Sequence, residues 1–345
     1  MTESRTGATS RSDPDAERTA VEPTATVTPA RMRDEHDAAP LVSVVVPTYN
    51  RADSLTPTIE SVLAQTVSDL ELLVVDDAST DDTESVVTGY DDDRVQYLRH
   101  DENRGGSAAR NTGIEAARGT YVALLDSDDL WEPRKLERQV ACLESRSDDW
   151  VAAYCGYDRQ RSGPDSRLRV LVDAILPSVE REGMEGGEEL VTESLLLRGF
   201  STGGSSTLLV RRDVVQRMGG FDESFQRQQD WEFRNRLLRE GKLAYVDAVL
   251  VRKEESAPPA AETIERSIRH YLDTFGEDVA ALEAEGHDVT GRHLFIVARA
   301  FLSEGNFRKG LYYLRRSHLP TVRQYADVAY AAARGAATRA RARLS

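Results

Sequence analysis

Apolar residues in this chain fall into short runs separated by stretches of helical spacing. Leu41-Val42-Ser43-Val44-Val45-Val46 is one such run, stopped by Pro47, and has the pattern of a strand buried on both faces. A helix is expected over residues 54–64, with Asp53 or Ser54 as its cap and Pro57 in its first turn. Beyond it come an apolar run at 70–75, a helix near 83–89, a strand at 95–98, a helix at 106–117 and a strand at 121–125. Strand and helix alternate throughout, which predicts an α/β fold with a mostly parallel, Rossmann-like sheet flanked by helices. In such sheets ligands sit beyond the carboxyl ends of the strands.

The rhythm then changes. Residues 133–145 have the spacing of an amphipathic helix and 151–157 that of a strand, whereas 158–187 are polar and Gly-rich, a composition expected of a mobile loop. From about Ile264 the chain reads as helices. Segments 292–302 and 307–317, on either side of Glu304-Gly305-Asn306, form a predicted helical hairpin, and a last helix is expected over 322–339. At the other end, residues 1–40 contain no Phe, Trp or Tyr and are expected to be disordered, since they have little apolar surface to offset the entropy of ordering. The expected organisation is that segment, one α/β domain over 41–255 and a C-terminal helical region over 260–345.

Charge adds to this picture. The formal net charge of −15 is unevenly spread: from residue 286 onward 11 Arg and Lys stand against 3 Asp and Glu, so a basic tail follows an acidic body. So acidic a body repels polynucleotides, and nucleic acid is excluded as a partner. The tail reads by default as a solvated charged face, and otherwise as a peripheral contact with anionic lipid headgroups. No apolar run reaches the length of a membrane span, and the start of the chain lacks the basic-then-apolar order of a secretory signal, which predicts a cytoplasmic location. Only Lys135, Lys242, Lys253 and Lys309 of the 44 basic residues are lysines, and the loops are rich in Asp, a combination that resembles proteins adapted to high salt. Cys142 and Cys155 show no CxxC pattern and are expected to be buried thiols.

The polar residues with chemical interest fall at the predicted strand ends: Pro47-Thr48-Tyr49-Asn50-Arg51 after the first, Asp76-Asp77-Ala78-Ser79 after the second, and Asp126-Ser127-Asp128-Asp129 after the fourth. Any one of these taken alone reads as a solvated turn or a helix cap. Three of them at the ligand-binding edge of one sheet point to a site.

Val42 to Arg51, Leu72 to Ser79, Asn103-Arg104-Gly105-Gly106-Ser107-Ala108-Ala109-Arg110-Asn111-Thr112-Gly113 and Leu125 to Asp129 resemble, in order and spacing, the successive blocks of family 2 glycosyltransferases. The resemblance implies the GT-A fold, with a donor-binding half over 41–133 and an acceptor half over 134–255. It implies a nucleotide-sugar donor, most commonly a UDP-sugar, and a divalent cation, Mn or Mg. It assigns the metal foremost to Asp128 and secondarily to Asp126, which alternatively meets the ribose; Asp129 reads equally well as a helix cap. Asp76 and Asp77 match base and ribose contacts, and Tyr49, beside Pro47, matches the position that packs against the base. Asn103, Gly105 and Gly106 open a helix whose N–H groups suit phosphate, and Arg110 lies one turn further on. Farther along, Gly219-Gly220-Phe221-Asp222-Glu223 and Gln228-Gln229-Asp230-Trp231-Glu232-Phe233-Arg234 resemble the block whose Asp faces the acceptor, making Asp230 the expected general base. Gln229 stands where the family often has an acidic residue.

These residue types suit that chemistry. The departing nucleoside diphosphate concentrates negative charge that the site must neutralise. A hard cation on one or two carboxylates plus substrate phosphates does this. The QxxRW pattern of processive synthases is absent, favouring transfer of a single sugar. With Asp230 as base the expected reaction is inverting, and the expected acceptor is a hydroxyl or phosphate in surface-glycan, lipid-linked glycan or protein glycosylation. Two other readings are a non-catalytic nucleotide-sugar-binding adaptor and a nucleotidyltransferase. The latter calls for a Gly-rich basic loop after the first strand, where this chain has Pro47-Thr48-Tyr49-Asn50.

Overall fold

The computed structural model describes residues 25–27, 39–160, 183–254, 258–318 and 322–342. Its strands are β1 (Ala25–Val27), β2 (Val42–Thr48), β3 (Leu70–Asp76), β4 (Val95–His100), β5 (Tyr121–Leu124), β6 (Leu130–Trp131), β7 (Trp150–Gln160), β8 (Leu209–Arg211) and β9 (Lys242–Glu254). Among the described residues they form one sheet in the order β1-β4-β3-β2-β5-β8-β7-β9-β6. The centre, β4-β3-β2-β5, is parallel, as is the long β7–β9 pair. Antiparallel pairing enters only through the short strands β1, β6 and β8.

Every residue of β2 and β3 is buried, as their apolar runs predict. The two-residue period sends Val45 and Leu73 into the core on one face, and Val44, Val46, Leu72 and Val74 into the core on the other. The helix Gly106–Ala116 lies close on the first face. A Cβ on Gly113 would sit 2.3 Å from Val45 Cγ1, so this approach leaves no room for a methyl group.

Some expectations need correcting. The first helix is Ala52–Leu63, so Pro57 lies inside it; Arg51 holds the cap position and makes no side-chain cap bond. Asp53 and Ser54 are not needed as caps because the loop after β3 supplies the acceptors: Arg51 N–H donates to Thr83 Oγ1 and Ala52 N–H to Asp81 Oδ2. β7 continues to Gln160, past the expected end of its strand. The expected mobile loop falls mostly on 161–182, outside the described residues, and so does most of the expected disordered segment 1–40. Within the latter, Ala25–Val27 pairs antiparallel with β4 and forms one edge of the sheet.

The C-terminal region is helical, with helices Ala261–Thr274, Gly276–Ala284, Val289–Ser303, Phe307–Leu314 and Val322–Ala342. Ile268, Val297, Phe301 and Tyr313 build its core. Trp231, next to the expected base, packs against both this core and that of the sheet domain. The ring of His293 lies 5.5 Å from that of Tyr271 and 6.1 Å from that of Trp231. The helices therefore support the site from behind and do not hang from it as a separable tail.

Candidate active site

A cavity of about 840 Å³ opens where the carboxyl ends of β2 and β3 meet the loop after β5. Pro47, Tyr49, Asp77, Gly106, Arg110, Asp126, Asp128 and Asp230 all line it, gathered from positions more than 180 residues apart. Tyr49 is 46% exposed, with its ring free to meet a flat ligand.

Three of the expected residues are elsewhere. Asp76 is fully buried at the end of β3, where its carboxylate accepts hydrogen bonds from Tyr97 Oη, Arg99 Nη1 (2.9 Å) and Ser79 N (2.8 Å); it holds the turn and does not line the cavity. The expectation of a base or ribose contact at Asp76 is thus not met: successive strand residues point to opposite sides, and only Asp77 turns toward the cavity. Asn103 is exposed and off the cavity wall. Gly105 also lies off the wall, and its N–H donates to Asp77 Oδ2 at 2.7 Å, so it is not free for phosphate. Arg104 N–H donates to Asp77 Oδ1 and His100 Nδ1 sits against the same oxygen, both at 2.8 Å. Asp77 thereby anchors the loop that leads into the Gly106–Ala116 helix, whose N-terminus reaches the cavity at Gly106.

The acidic loop after β5 is fixed from several sides. Thr58 Oγ1, on the first helix, donates to the carbonyls of Ser127 (3.1 Å) and Asp129 (3.0 Å). Asp126 is clamped by Arg110 at 2.6 Å, with Lys253 at 3.6 Å. Burial alone would raise its pKa, but Arg110 and Lys253 outweigh burial and hold the carboxyl well below the usual range. Asp128 has only a loose contact with Arg51, 3.5 Å away on a half-exposed side chain. Burial, and then the charge of Asp126, push its pKa up. Asp129 is no helix cap: it pairs with Lys253 at 2.8 Å and accepts from Ser206 Oγ, while burial pushes its pKa up to about 6.

Lys253, Arg51, Ser205 and Ser206 complete this network; of these the sequence pointed only to Arg51, as part of the polar cluster after β2. Lys253 comes from the end of β9; burial would lower its pKa, but Asp126 and Asp129 outweigh burial and hold the ammonium above its ordinary value. One signal was available in the sequence. A chain that uses Arg for nearly all its positive charge keeps Lys here, where a compact point charge fits among carboxylates better than a planar fork.

Asp230 is the second residue of the helix Gln229–Glu240. Gln228 is the N-cap, and its side chain makes no cap bond. Asp230 is not at the capping position, and its Oδ1 is shielded from solvent and accepts no hydrogen bond. Burial raises its pKa against the opposing pull of Arg110 and Lys253. A carboxylate held near cations but left with an unengaged oxygen on a cavity is equipped to take a proton.

For a divalent cation the donor set fits in part. Among the described residues no three His, Cys, Asp or Glu form a protein-only cage. Asp128, with its raised pKa and weakly held oxygens, fits one carboxylate of a site completed by ligand phosphates; Asp126, occupied by Arg110, stands behind it.

Comparison with known proteins agrees with this geometry. The model of glycosyl transferase family 2 matches residues 43–185. An uncharacterized glycosyltransferase of Rickettsia prowazekii is 30% identical over 247 residues, covering 72% of this chain and 74% of that protein. A UDP-Glc:alpha-D-GlcNAc-diphosphoundecaprenol beta-1,3-glucosyltransferase of Escherichia coli is 42% identical over 103 residues, 30% of this chain and 41% of that one. Among solved structures, the mannosyltransferase PcManGT of Pyrobaculum calidifontis, in complex with GDP-Man and Mn2+, superposes with a TM-score of 0.52 at 19% identity, covering 87% of this chain and 88% of that one. The site at the parallel strand ends and the match over most of a relative's length lead to the same conclusion: this chain belongs to the family 2 glycosyltransferases and has their GT-A fold.

Proposed function

We propose that the protein transfers a single sugar, with inversion and with the help of a divalent cation, from a UDP-sugar to a hydroxyl of a lipid-linked or other glycan acceptor. The observation that carries this reading is the carboxylate of Asp230, one oxygen of which accepts no hydrogen bond, on the wall of the same 840 Å³ cavity as Tyr49, Arg110 and the Asp126–Asp128 loop. Tyr49 packs on the base. The N-terminus of the Gly106–Ala116 helix receives the diphosphate, and Arg110 adds positive charge one turn on. Asp128, supported by Asp126, would hold Mg or Mn, and such an ion would supply positive charge against the departing diphosphate. Asp230 accepts the proton of the attacking hydroxyl. The choice of UDP and of a lipid-linked acceptor is supported by the activity of the E. coli relative, and the choice of Mn by the Mn2+ bound with GDP-Man in the Pyrobaculum enzyme.

Incubation with a panel of nucleotide sugars tests the reading. Release of UDP is the expected result. Release of pyrophosphate would mark a nucleotidyltransferase, and no release from any donor would favour an adaptor.

The family reading leaves a basic surface without a role. Arg308, Leu311, Tyr312, Arg315 and Arg316 are all exposed and, at i, i+3, i+4, i+7 and i+8, share one face of the short helix Phe307–Leu314 and its exit. Among the described residues no helix is long and apolar enough to cross a membrane. This face, apolar between basic ends, is placed here as a peripheral contact with anionic lipid, each Arg contributing about 1 kcal/mol. Replacing Arg308, Arg315 and Arg316 together by Gln should strongly reduce sedimentation with phosphatidylglycerol vesicles at low salt and leave UDP release in solution unchanged. Undiminished sedimentation would remove the role.

A further inference from the structure

Lys135 is one of only four lysines among 44 basic residues, and it is fully buried. Among the described residues no carboxylate pairs with it: its ammonium donates to Gln139 Oε1 at 2.7 Å and sits 3.8 Å over the ring of Trp131. Lys135 opens the helix Lys135–Glu144, and Gln139 lies one turn on along the same face. An apolar side chain of similar length would fill this space without the cost of desolvating a charge. Burial accordingly pushes the pKa of Lys135 down to about 8, against a smaller opposing pull from Cys155 on β7. Lys135 does not line the 840 Å³ cavity, so its charge acts on that site through its neighbours.

Both neighbours hold the turn Ser205–Thr207. Trp131 Nε1 donates to Ser206 O at 2.8 Å, and Gln139 Nε2 donates to Thr207 O at 2.8 Å and to Ala153 O at 3.0 Å. With its Oε1 drawn to the ammonium, the Gln139 amide must turn its N–H groups toward those carbonyls. The far end of the turn meets the carboxylates of the site. Ser206 Oγ accepts from Asp126 N at 3.1 Å and donates to Asp129 Oδ2, and Ser205 Oγ donates to Asp126 Oδ1 at 3.3 Å. Gly204, which precedes the turn, has a φ of +107°, and a Cβ there would sit 3.4 Å from Asp230 Oδ2. Bare backbone thus brings the turn up to the candidate base.

We propose that Lys135 is a positioning residue, whose buried charge fixes the Trp131 ring and the Gln139 amide so that the Ser205–Thr207 turn keeps Asp126, Asp129 and Asp230 at the spacing transfer needs. The kinetic part of the proposal rests on Asp230 as the base. The ammonium on the indole face also strengthens the indole N–H as a donor, which couples the charge to the bond with Ser206 O.

The test combines NMR of the indole N–H groups with kinetics of Lys135→Met, which fills the same space without the charge. The Trp131 resonance, identified by its loss in Trp131→Phe, should shift with a midpoint near pH 8 in wild type and stay still in Lys135→Met. Cys155 is the titratable group that bears on Lys135, and burial pushes its thiol up to about 11, so it stays protonated over this range. Near neutral pH, kcat of Lys135→Met should fall roughly 10- to 10²-fold, with donor KM and UDP affinity little changed and Tm within a few degrees of wild type. Trp131→Phe keeps a ring under the ammonium but lacks the N–H; it should lose a similar factor, and the double variant should lose no more than either single one. The proposal is overturned if the indole resonance fails to titrate in wild type, if Lys135→Met turns over within a few-fold of wild type, if its loss only tracks a fall in Tm, or if the two losses multiply. A wild type that releases no UDP from any donor would overturn the donor reading, and the indole titration, which needs no turnover, separates that failure from failure of the link between Lys135 and the turn.

Discussion

Asp230→Asn should lower the transfer rate by roughly 10² to 10⁴ while UDP affinity stays within a few-fold of wild type. In the proposed displacement the acceptor hydroxyl loses its proton as it attacks the anomeric carbon, and Asp230, on the cavity wall, keeps one oxygen that accepts no hydrogen bond. Asn keeps the size and polarity of the side chain but cannot take the proton. The pH profile adds an independent check. Burial raises the pKa of Asp230, so the rate should fall on acidification at a pH above the ordinary carboxylate range. The sign for stability is the opposite. A raised pKa in the fold means that the protonated form is favoured, a contribution fully present below the unfolded pKa and lost as pH rises through the folded one. At neutral pH the ionised form is therefore a burden on the fold, and Asp230→Asn should have a Tm equal to or above that of wild type. Attack from one face also requires a product of inverted anomeric configuration. A variant that turns over within a few-fold of wild type, or a product with retained configuration, would rule out Asp230 as base.

How much of this was legible in the sequence depended on how local each cause was. The apolar runs of β2 and β3 are buried at every position, so composition alone identified them, and the polar residues that follow them necessarily fell at the ligand edge. Asp230 could be placed because its motif is contiguous. The pair Asp76-Asp77 marks the limit: the two look alike in sequence, but the pleat sends one into a buried bond with Tyr97 and the other to the cavity rim. Lys253 lies more than 120 residues from the Asp126 and Asp129 carboxylates it joins, so nothing local announces the pairing. The expected cap at Asp53 or Ser54 failed for the same reason, since Asp81 and Thr83, distant in sequence, satisfy those N–H groups.

Asp128→Asn should abolish detectable transfer, and excess chelator should do the same to the wild type, with activity restored by Mn or Mg. The two carboxylates of the loop separate cleanly by environment. Asp126 is bound by Arg110 and approached by Lys253, so its substitution leaves the buried Arg110 without this ion pair and should lower Tm as well as activity. Asp128 has a loose ion pair with the half-exposed Arg51, and burial with the neighbouring charge of Asp126 makes its ionised form less favourable than that of a free carboxylate. A divalent ion completed by donor phosphates relieves that repulsion, which is the physical reason for expecting the ion here. Removing the Asp128 charge should consequently leave Tm unchanged or higher and eliminate the cation-dependent gain in UDP affinity, a readout independent of turnover. Full activity of wild type in excess chelator would refute a metal at Asp128. So would a UDP affinity that rises with Mn in Asp128→Asn as much as in wild type.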